Sequence, residues 1–370
     1  MSGKKKITKS QKKKIVKTAT AVAKNNPVLF VVLAVIIVVA AVVGYFVYTK
    51  LLAKNIQSFS LEDVPAVEEG EIAFHTLELG NDSPGDCTYI KANGYDILID
   101  AGSKADSKTT IIPYLSERVT DGILEFVILT HADTDHIACL GAAGGIFDTF
   151  TCQKVIDSPI TNKATDSNYV AYSNKLANEI ATEGAVHYSA LDCYNNENGA
   201  QRIYDLGSGV KMEFLYNYYY EHETTKENDY SVCVQFSHGA RKFLFTGDLE
   251  TDGEEKLVEY NAATLSPVIL FKAGHHGSAT SSTDALLSRI KPTVCVVNCV
   301  AGGQYHFPTQ AFIDRIFVYT QLVFVTREKD GKLLNGNIVV VSAVSGVTVS
   351  CSNNDTLLKD TDWFKANRTL

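Results

Sequence analysis

At 370 residues, 45% hydrophobic and 21% charged, the chain has the composition of a folded protein, with room for one large domain or two ordinary ones. Its net charge of −8 averages two unlike parts: nine of the 34 basic residues are lysines within residues 1–27, which hold no acid, and all 42 acidic residues lie after residue 48. So acidic a body argues against tight non-specific binding to nucleic acid, and eight cysteines without a C-x-x-C pair suggest neither a zinc knuckle nor a thioredoxin-type site.

Residues 1–27 read as a basic tail. Residues 28–48 are 21 positions without a charge, long enough to cross a hydrocarbon core of about 30 Å as a helix rising about 1.5 Å per residue. Tyr45, Phe46 and Tyr48 close that run, where amphipathic rings favour the interface. The run exceeds the apolar region of a cleaved signal peptide, about 7–15 residues, and lacks its small-residue cut site. The expectation is a single transmembrane helix in the cell membrane, with the lysines cytoplasmic and the body extracytoplasmic. Residues 49–70 read as a tether.

From residue 71 the pattern becomes strand-rich. Short strands are expected over 71–79, 86–92 and 95–99, with Asn93-Gly94 as a two-residue hairpin turn. A helix is expected over 108–119, a buried strand over 124–129 and a helix over 167–183. Strands follow at 211–215, 231–236 and 242–245, then a helix at 252–261, a strand at 268–271, a helix at 283–290, and strands at 293–297, 322–325 and 338–341. Strands dominating in both halves, with helices between them, suit two packed sheets covered by helices. The domain is expected to span 71–351, and 352–370 reads as a peripheral tail. Cys233 and Cys295 fall in apolar runs and suit buried free thiols, while a partial disulfide set stays open.

The chemistry concentrates at strand ends. Val127 to Thr130 runs into His131-Ala132-Asp133-Thr134-Asp135-His136, placing two of the nine histidines and two aspartates in six residues. Imidazole and carboxylate are the usual ligands of catalytic divalent ions. If the loop stays extended, residues 131, 133 and 135 point one way and His136 another. Lys242 to Asp248 ends a second strand, Val268 to Ser278 ends a third at His275-His276, and His306 follows a fourth. Alone, Asp248 reads equally as a helix cap and His306 as a loop histidine; together they describe one metal site at one rim of a sheet.

The series resembles metallo-β-lactamase-fold hydrolases, and within them the C-terminal domain of ComEC-type competence proteins. The motifs are Gly85-Asp86-Cys87, Asp100-Ala101-Gly102, the hexapeptide, Glu227 to Ser231, Thr246-Gly247-Asp248, Gly274 to Ser278 and His306. The resemblance implies an α/β fold, an αββα sandwich with its site at one edge. Two departures stand out. Asp133 replaces a usual histidine, which shifts preference toward harder ions, and the histidine of the third motif is absent, with Asn228 or Asp229 nearest that place.

The expected metal ligands are His131, Asp133, Asp135, His136, Asp248 and one of His275 and His276, holding one or two divalent ions, zinc or manganese. Such an ion lowers the pKa of bound water to about 7. Asp135 would also orient the hydroxide, and His306 would stabilise or protonate the leaving group; Asp100 reads as supporting the site or as an ordinary strand end. The expected function is a membrane-anchored hydrolase of phosphoesters, a phosphodiesterase or nuclease, acting on nucleic acid or an envelope component. The alternative is a non-catalytic, metal-stabilised binding or envelope-assembly module. No protein partner is evident.

Overall fold

Alternation along the central strands sorts their side chains into two layers. Ile97 and Ile99, Phe243 and Phe245, and Val294 and Val296 point into one shared core, while Leu98, Leu244 and Cys295 point the opposite way into two outer cores. A strand buried on both faces needs cover on both faces, so the sequence dictates two sheets face to face with helices outside. The computed structural model of the protein, which describes residues 59–61, 64–330, 332 and 334–370, has that architecture. The basic tail and the transmembrane helix expected at 28–48 lie outside the described residues. Among the described residues no helix is long and apolar enough to cross a membrane.

The strands are β1 (Phe59–Leu61), β2 (Glu71–Thr76), β3 (Thr88–Ala92), β4 (Tyr95–Ile99), β5 (Ile123–Ile128), β6 (Thr151–Asp157), β7 (Val186–Ser189) and β8 (Ile203–Asp205). They continue as β9 (Val210–Phe214), β10 (Val234–His238), β11 (Arg241–Phe245), β12 (Leu270–Lys272), β13 (Val294–Ala301), β14 (Val323–Glu328), β15 (Ile338–Ala343) and β16 (Gly346–Cys351). One sheet has the order β1-β16-β15-β2-β3-β4-β5-β6-β7, the other β14-β13-β12-β11-β10-β9-β8. In both, antiparallel neighbours give way to parallel ones, β4 to β7 in the first and β11 to β14 in the second.

The inter-sheet core is aromatic at its centre, where Phe74 packs on Phe236, Phe243 and Phe245 with centroids 4.6–5.6 Å apart. Helices Lys108–Ser116, Thr134–Gly141, Ile146–Thr149 and Ser167–Asn178 cover the outer face of the first sheet through Ile111, Leu115, Ile137, Leu140, Phe147 and Leu176. Helices Thr251–Tyr260, Asp284–Ile290, Gln310–Ile316 and Asp362–Asn367 cover the second through Leu257, Leu287, Phe312, Ile313, Trp363 and Phe364.

Several expected boundaries move. Residues 59–61, expected in the tether, pair as an edge strand with β16. The stretch 352–370 is not wholly peripheral: it carries Trp363 and Phe364 into the outer core, and burying one such ring is worth about 1.5–3 kcal/mol. The helix expected over 167–183 changes to a wider π turn at Glu179–Glu183. All eight cysteines are buried free thiols.

Candidate metal centre

Parallel strands of both sheets deliver polar residues at their carboxyl ends, where α/β folds gather ligand sites. β4 ends at Asp100, β5 at Thr130-His131, β11 at Thr246 to Asp248, and β12 at Lys272 and the His275-His276 turn. The hexapeptide does not stay extended. Asp133 keeps extended dihedrals at the N-cap position, and Thr134–Gly141 is helical, so Asp135 and His136 leave from its first turn. This corrects the expectation that residues 131, 133 and 135 share one direction.

Backbone hydrogen bonds fix that turn: the Asp86 amide donates to the Asp135 carbonyl (3.0 Å) and the Ala101 amide to the His136 carbonyl (2.8 Å). Gly102 makes the approach possible, because a Cβ there would lie 1.6 Å from the Asp135 carbonyl oxygen. On the other side, the Glu227 carboxylate accepts from the Ala132 amide (3.0 Å), the Thr161 hydroxyl (2.7 Å) and the Asn162 amide (2.6 Å). It thereby ties the ligand loop to two neighbouring loops.

Four side-chain atoms converge. Asp248 Oδ2 lies 3.1 Å from His136 Nε2 and 3.2 Å from His276 Nε2, and Asp135 Oδ2 lies 3.3 Å from His276 Nε2. Ligands about 2.0–2.1 Å from a tetrahedral ion are about 3.3 Å from one another, so this spacing is that of an ion's coordination sphere. The tautomers fit as well. The His136 Nδ1–H faces Asp100 Oδ2 (2.7 Å) and the His276 Nδ1–H faces the Asn298 carbonyl (3.0 Å), leaving the Nε2 lone pairs of the neutral rings for a metal. Asp100 is itself held by the Thr130 amide and hydroxyl, both at 2.7 Å. The Nε2 atoms of His131, His136 and His276 and Asp248 Oδ1 are buried without hydrogen-bond partners, which is costly unless a cation or proton satisfies them.

Asp86, His136, Asp248 and His276 also each offer an atom within 4.8 Å of the others. Asp86, however, stands behind the rings. It meets His276 at Nδ1 (3.2 Å) and His136 at Nδ1 (3.9 Å), and its close partner is the Lys272 ammonium. Lys272 follows from strand geometry: it shares the face of Leu270, which points into the inter-sheet core, and at the strand's end it enters the site. Its ammonium lies 3.6 Å from Asp248 Oδ1. Lys272 was missed by the sequence reading, where the available signal was a lysine closing the apolar run Val268 to Phe271, and Asp86 stood only within the Gly85-Asp86-Cys87 motif, without a role.

Burial alone would lower the His136 and His276 imidazoles, but the Asp248 carboxylate, with Asp100 near the first and Asp86 near the second, holds both well above the ordinary 6.5. Burial alone would raise Asp248, yet His136, His276, His275 and Lys272 hold it well below the usual carboxylate range. Asp86 is lowered likewise, chiefly by Lys272 and then His276 against its burial. Without an ion, the same carboxylates favour protons on His136 and His276.

The raised imidazoles contribute stability that is full below about 6.5 and is lost as pH rises through their folded values, whereas the depressed carboxylates contribute above about 3.9 and lose it in acid. The chelated protein should therefore melt at progressively lower temperature above neutral pH. The ion-loaded protein, whose imidazoles are already neutral, should not, so the gap in Tm widens between pH 6 and 8.5. A gap independent of pH, measured by scanning fluorimetry, would contradict this assignment.

The remaining expected residues divide. His131 is buried beside His136, ring centroids 4.2 Å apart, and Asp133 Oδ2 is 3.7 Å from its Nε2. His275 lies outside the four-atom group, its Nε2 3.9 Å from Asp248 and its Nδ1 3.2 Å from the Thr280 hydroxyl. Asn228 lines the pocket, while Asp229 accepts from the Glu250 amide (3.1 Å) away from it and is pushed up to about 6 by burial. His306 needs correction. Tyr305 and Phe307 line the metal pocket, but His306, with φ of 55°, lines a separate cavity with Trp363, Lys329 and Arg368. The leaving-group role expected of it has no geometric support.

The metal pocket holds about 300 Å³ and is lined by Pro84, Asp133, Thr134, Asp135, Asn228, Asp248, His275, His276, Tyr305 and Phe307, with no lysine or arginine among them. Fold and site together define the class: residues 80–166 and 222–297 match the metallo-beta-lactamase superfamily, and the chain carries a metallo-β-lactamase domain. The four convergent residues lie inside the matched segments and His306 lies outside them.

The chain is similar to proteins of the ComEC type. It is 27% identical over 253 residues to Recombination protein 2 of Haemophilus influenzae, covering 67% of this chain and 27% of that protein. It is 26% identical over 269 residues to Competence protein ComA of Neisseria gonorrhoeae, covering 72% and 32%. It is 23% identical over 209 residues to ComE operon protein 3 of Bacillus subtilis, covering 55% and 23%. The chain thus spans about a quarter to a third of the length of these relatives.

Proposed function

We propose that this protein is a membrane-anchored, metal-dependent hydrolase of phosphodiesters. The convergence of His136 Nε2, His276 Nε2, Asp248 and Asp135 at coordination spacing in an open pocket carries the reading. A bound divalent ion, zinc or manganese, would supply Lewis-acid polarisation of the ester and an activated water. The chain's residues do the rest. Asp100 and the Asn298 carbonyl set the imidazole tautomers, Lys272 and Asp86 hold Asp248 and His276 from behind, and Asp135, at the pocket edge, accepts a proton from water or orients it. Tyr305 and Phe307, stacked at 5.6 Å, form an apolar wall for the group next to the scissile bond.

With no lysine or arginine on the pocket wall among the described residues, the substrate's charge must be met chiefly by the ion. That favours a small phosphoester, such as a short nucleic-acid end or a phosphorylated envelope component, over a long duplex. The uncharged run at 28–48 would hold the domain at the membrane on its extracytoplasmic side. The full chain in detergent, loaded with manganese or zinc, is expected to hydrolyse bis(p-nitrophenyl) phosphate, with the activity lost on chelation and in Asp135→Ala. Folded, ion-loaded protein without turnover on any metal would sink the phosphodiesterase assignment and favour the binding-module reading.

A further inference from the structure

The two halves of the centre are unequal. On one side, Asp248 lies 3.1–3.2 Å from His136 and His276, and Asp135 lies 3.3 Å from His276. On the other, His131 Nε2 is buried and unpaired, and the nearest carboxylate, Asp133, is already engaged: its Oδ1 lies 2.8 Å from the Lys163 ammonium. Among the described residues, no other side chain comes within hydrogen-bonding distance of His131 Nε2. Asn228 is an amide that donates to Glu250 (3.2 Å), the Ser231 hydroxyl meets His131 at Nδ1, the wrong nitrogen, and the His275 Nε2 faces Asp248 Oδ2 at 3.9 Å.

We propose that the centre takes a single divalent ion, at the Asp135–His136–Asp248–His276 position, and that the Lys163 ammonium occupies the cation place beside Asp133 that a second ion would take. This rests on the metal-centre part of the proposed function but not on the substrate. An ion approaching His131 would have to displace an ammonium from the carboxylate it needs, against the repulsion of like charges, and would gain one imidazole and a share of Asp248. The ammonium also gives a role to the aspartate at position 133, because a histidine there would offer Lys163 no carboxylate.

The test is the metal content of the full chain, stripped, reloaded with excess manganese or zinc, desalted and measured by inductively coupled plasma mass spectrometry. The wild type is expected to hold one ion per chain and Lys163→Arg one, whereas Lys163→Ala, which frees Asp133, is expected to hold two. Lys163 is 39% exposed, so its truncation is compatible with folding. Should that variant not fold, Asp133→His, which removes the lysine's partner and adds an imidazole, is expected to hold two. Two ions in the wild type, or one in the folded test variant, overturns the proposal. No ion in the wild type overturns the metal centre itself, a result distinct from either.

Discussion

Lys272→Met is expected to destabilise the protein by about 3–5 kcal/mol, the usual consequence of removing one partner from a buried ion pair. Lys272 and Asp86 are both buried, with side chains 3% and 6% exposed, and Asp248 behind them is 2% exposed. The methylene stem is nearly reproduced by methionine, so the loss isolates the ammonium. Asp86 is then left in the interior with only the Nδ1 edges of two histidines to face. Combining Lys272→Met with Asp86→Asn should recover a large part of the loss, since the uncompensated charge goes with it. Urea unfolding of the three variants measures both. A loss below about 1 kcal/mol would show that the pair is solvated and that the site is not braced from behind.

Asp248→Asn is expected to act on the ion. Among the described residues, Asp248 is the one carboxylate within 3.2 Å of both Nε2 atoms, and its charge heads the attractions that raise the two imidazoles. An amide there removes the anion common to both ligands. Hydrolysis should fall by about 10³-fold, because Lewis-acid stabilisation contributes several kcal/mol and each 1.4 kcal/mol is tenfold in rate. Metal content after desalting should fall with it. Full occupancy together with unchanged hydrolysis would remove Asp248 from the centre.

What was legible in the sequence was local. The hexapeptide, Asp248 and the paired histidines each follow an apolar strand at once, so strand and ligand are read in one stretch of text. Lys272 and Asp86 are 186 positions apart, and only the pairing of β12 into the second sheet and β3 into the first brings them together. No spacing could have joined them. Direction was equally hidden. His306 sits between two pocket residues, yet its left-handed backbone turns it into a neighbouring cavity, and His275 and His276 share positive φ values of 46° and 55° while only His276 reaches the four-atom group. The start of a helix at Thr134, not the alternation of an extended loop, decides where Asp135 and His136 point.

The fold was legible for a different reason. Runs such as Val127 to Leu129 and Val294 to Val297 are apolar at every position, which only a strand covered on both faces can bury. The C-terminal stretch escaped because its composition is polar. One adjacent pair, Trp363 and Phe364, outweighs that composition by filling the outer core.

Anomalous X-ray diffraction from crystals of the protein grown with zinc or manganese locates the ion most directly. A peak is expected about 2.0–2.2 Å from His136 Nε2 and His276 Nε2, with Asp248 and Asp135 as the carboxylate ligands and a position left open to solvent. A peak elsewhere, or none in a crystal that carries the ion in its solution at millimolar concentration, would contradict this placement.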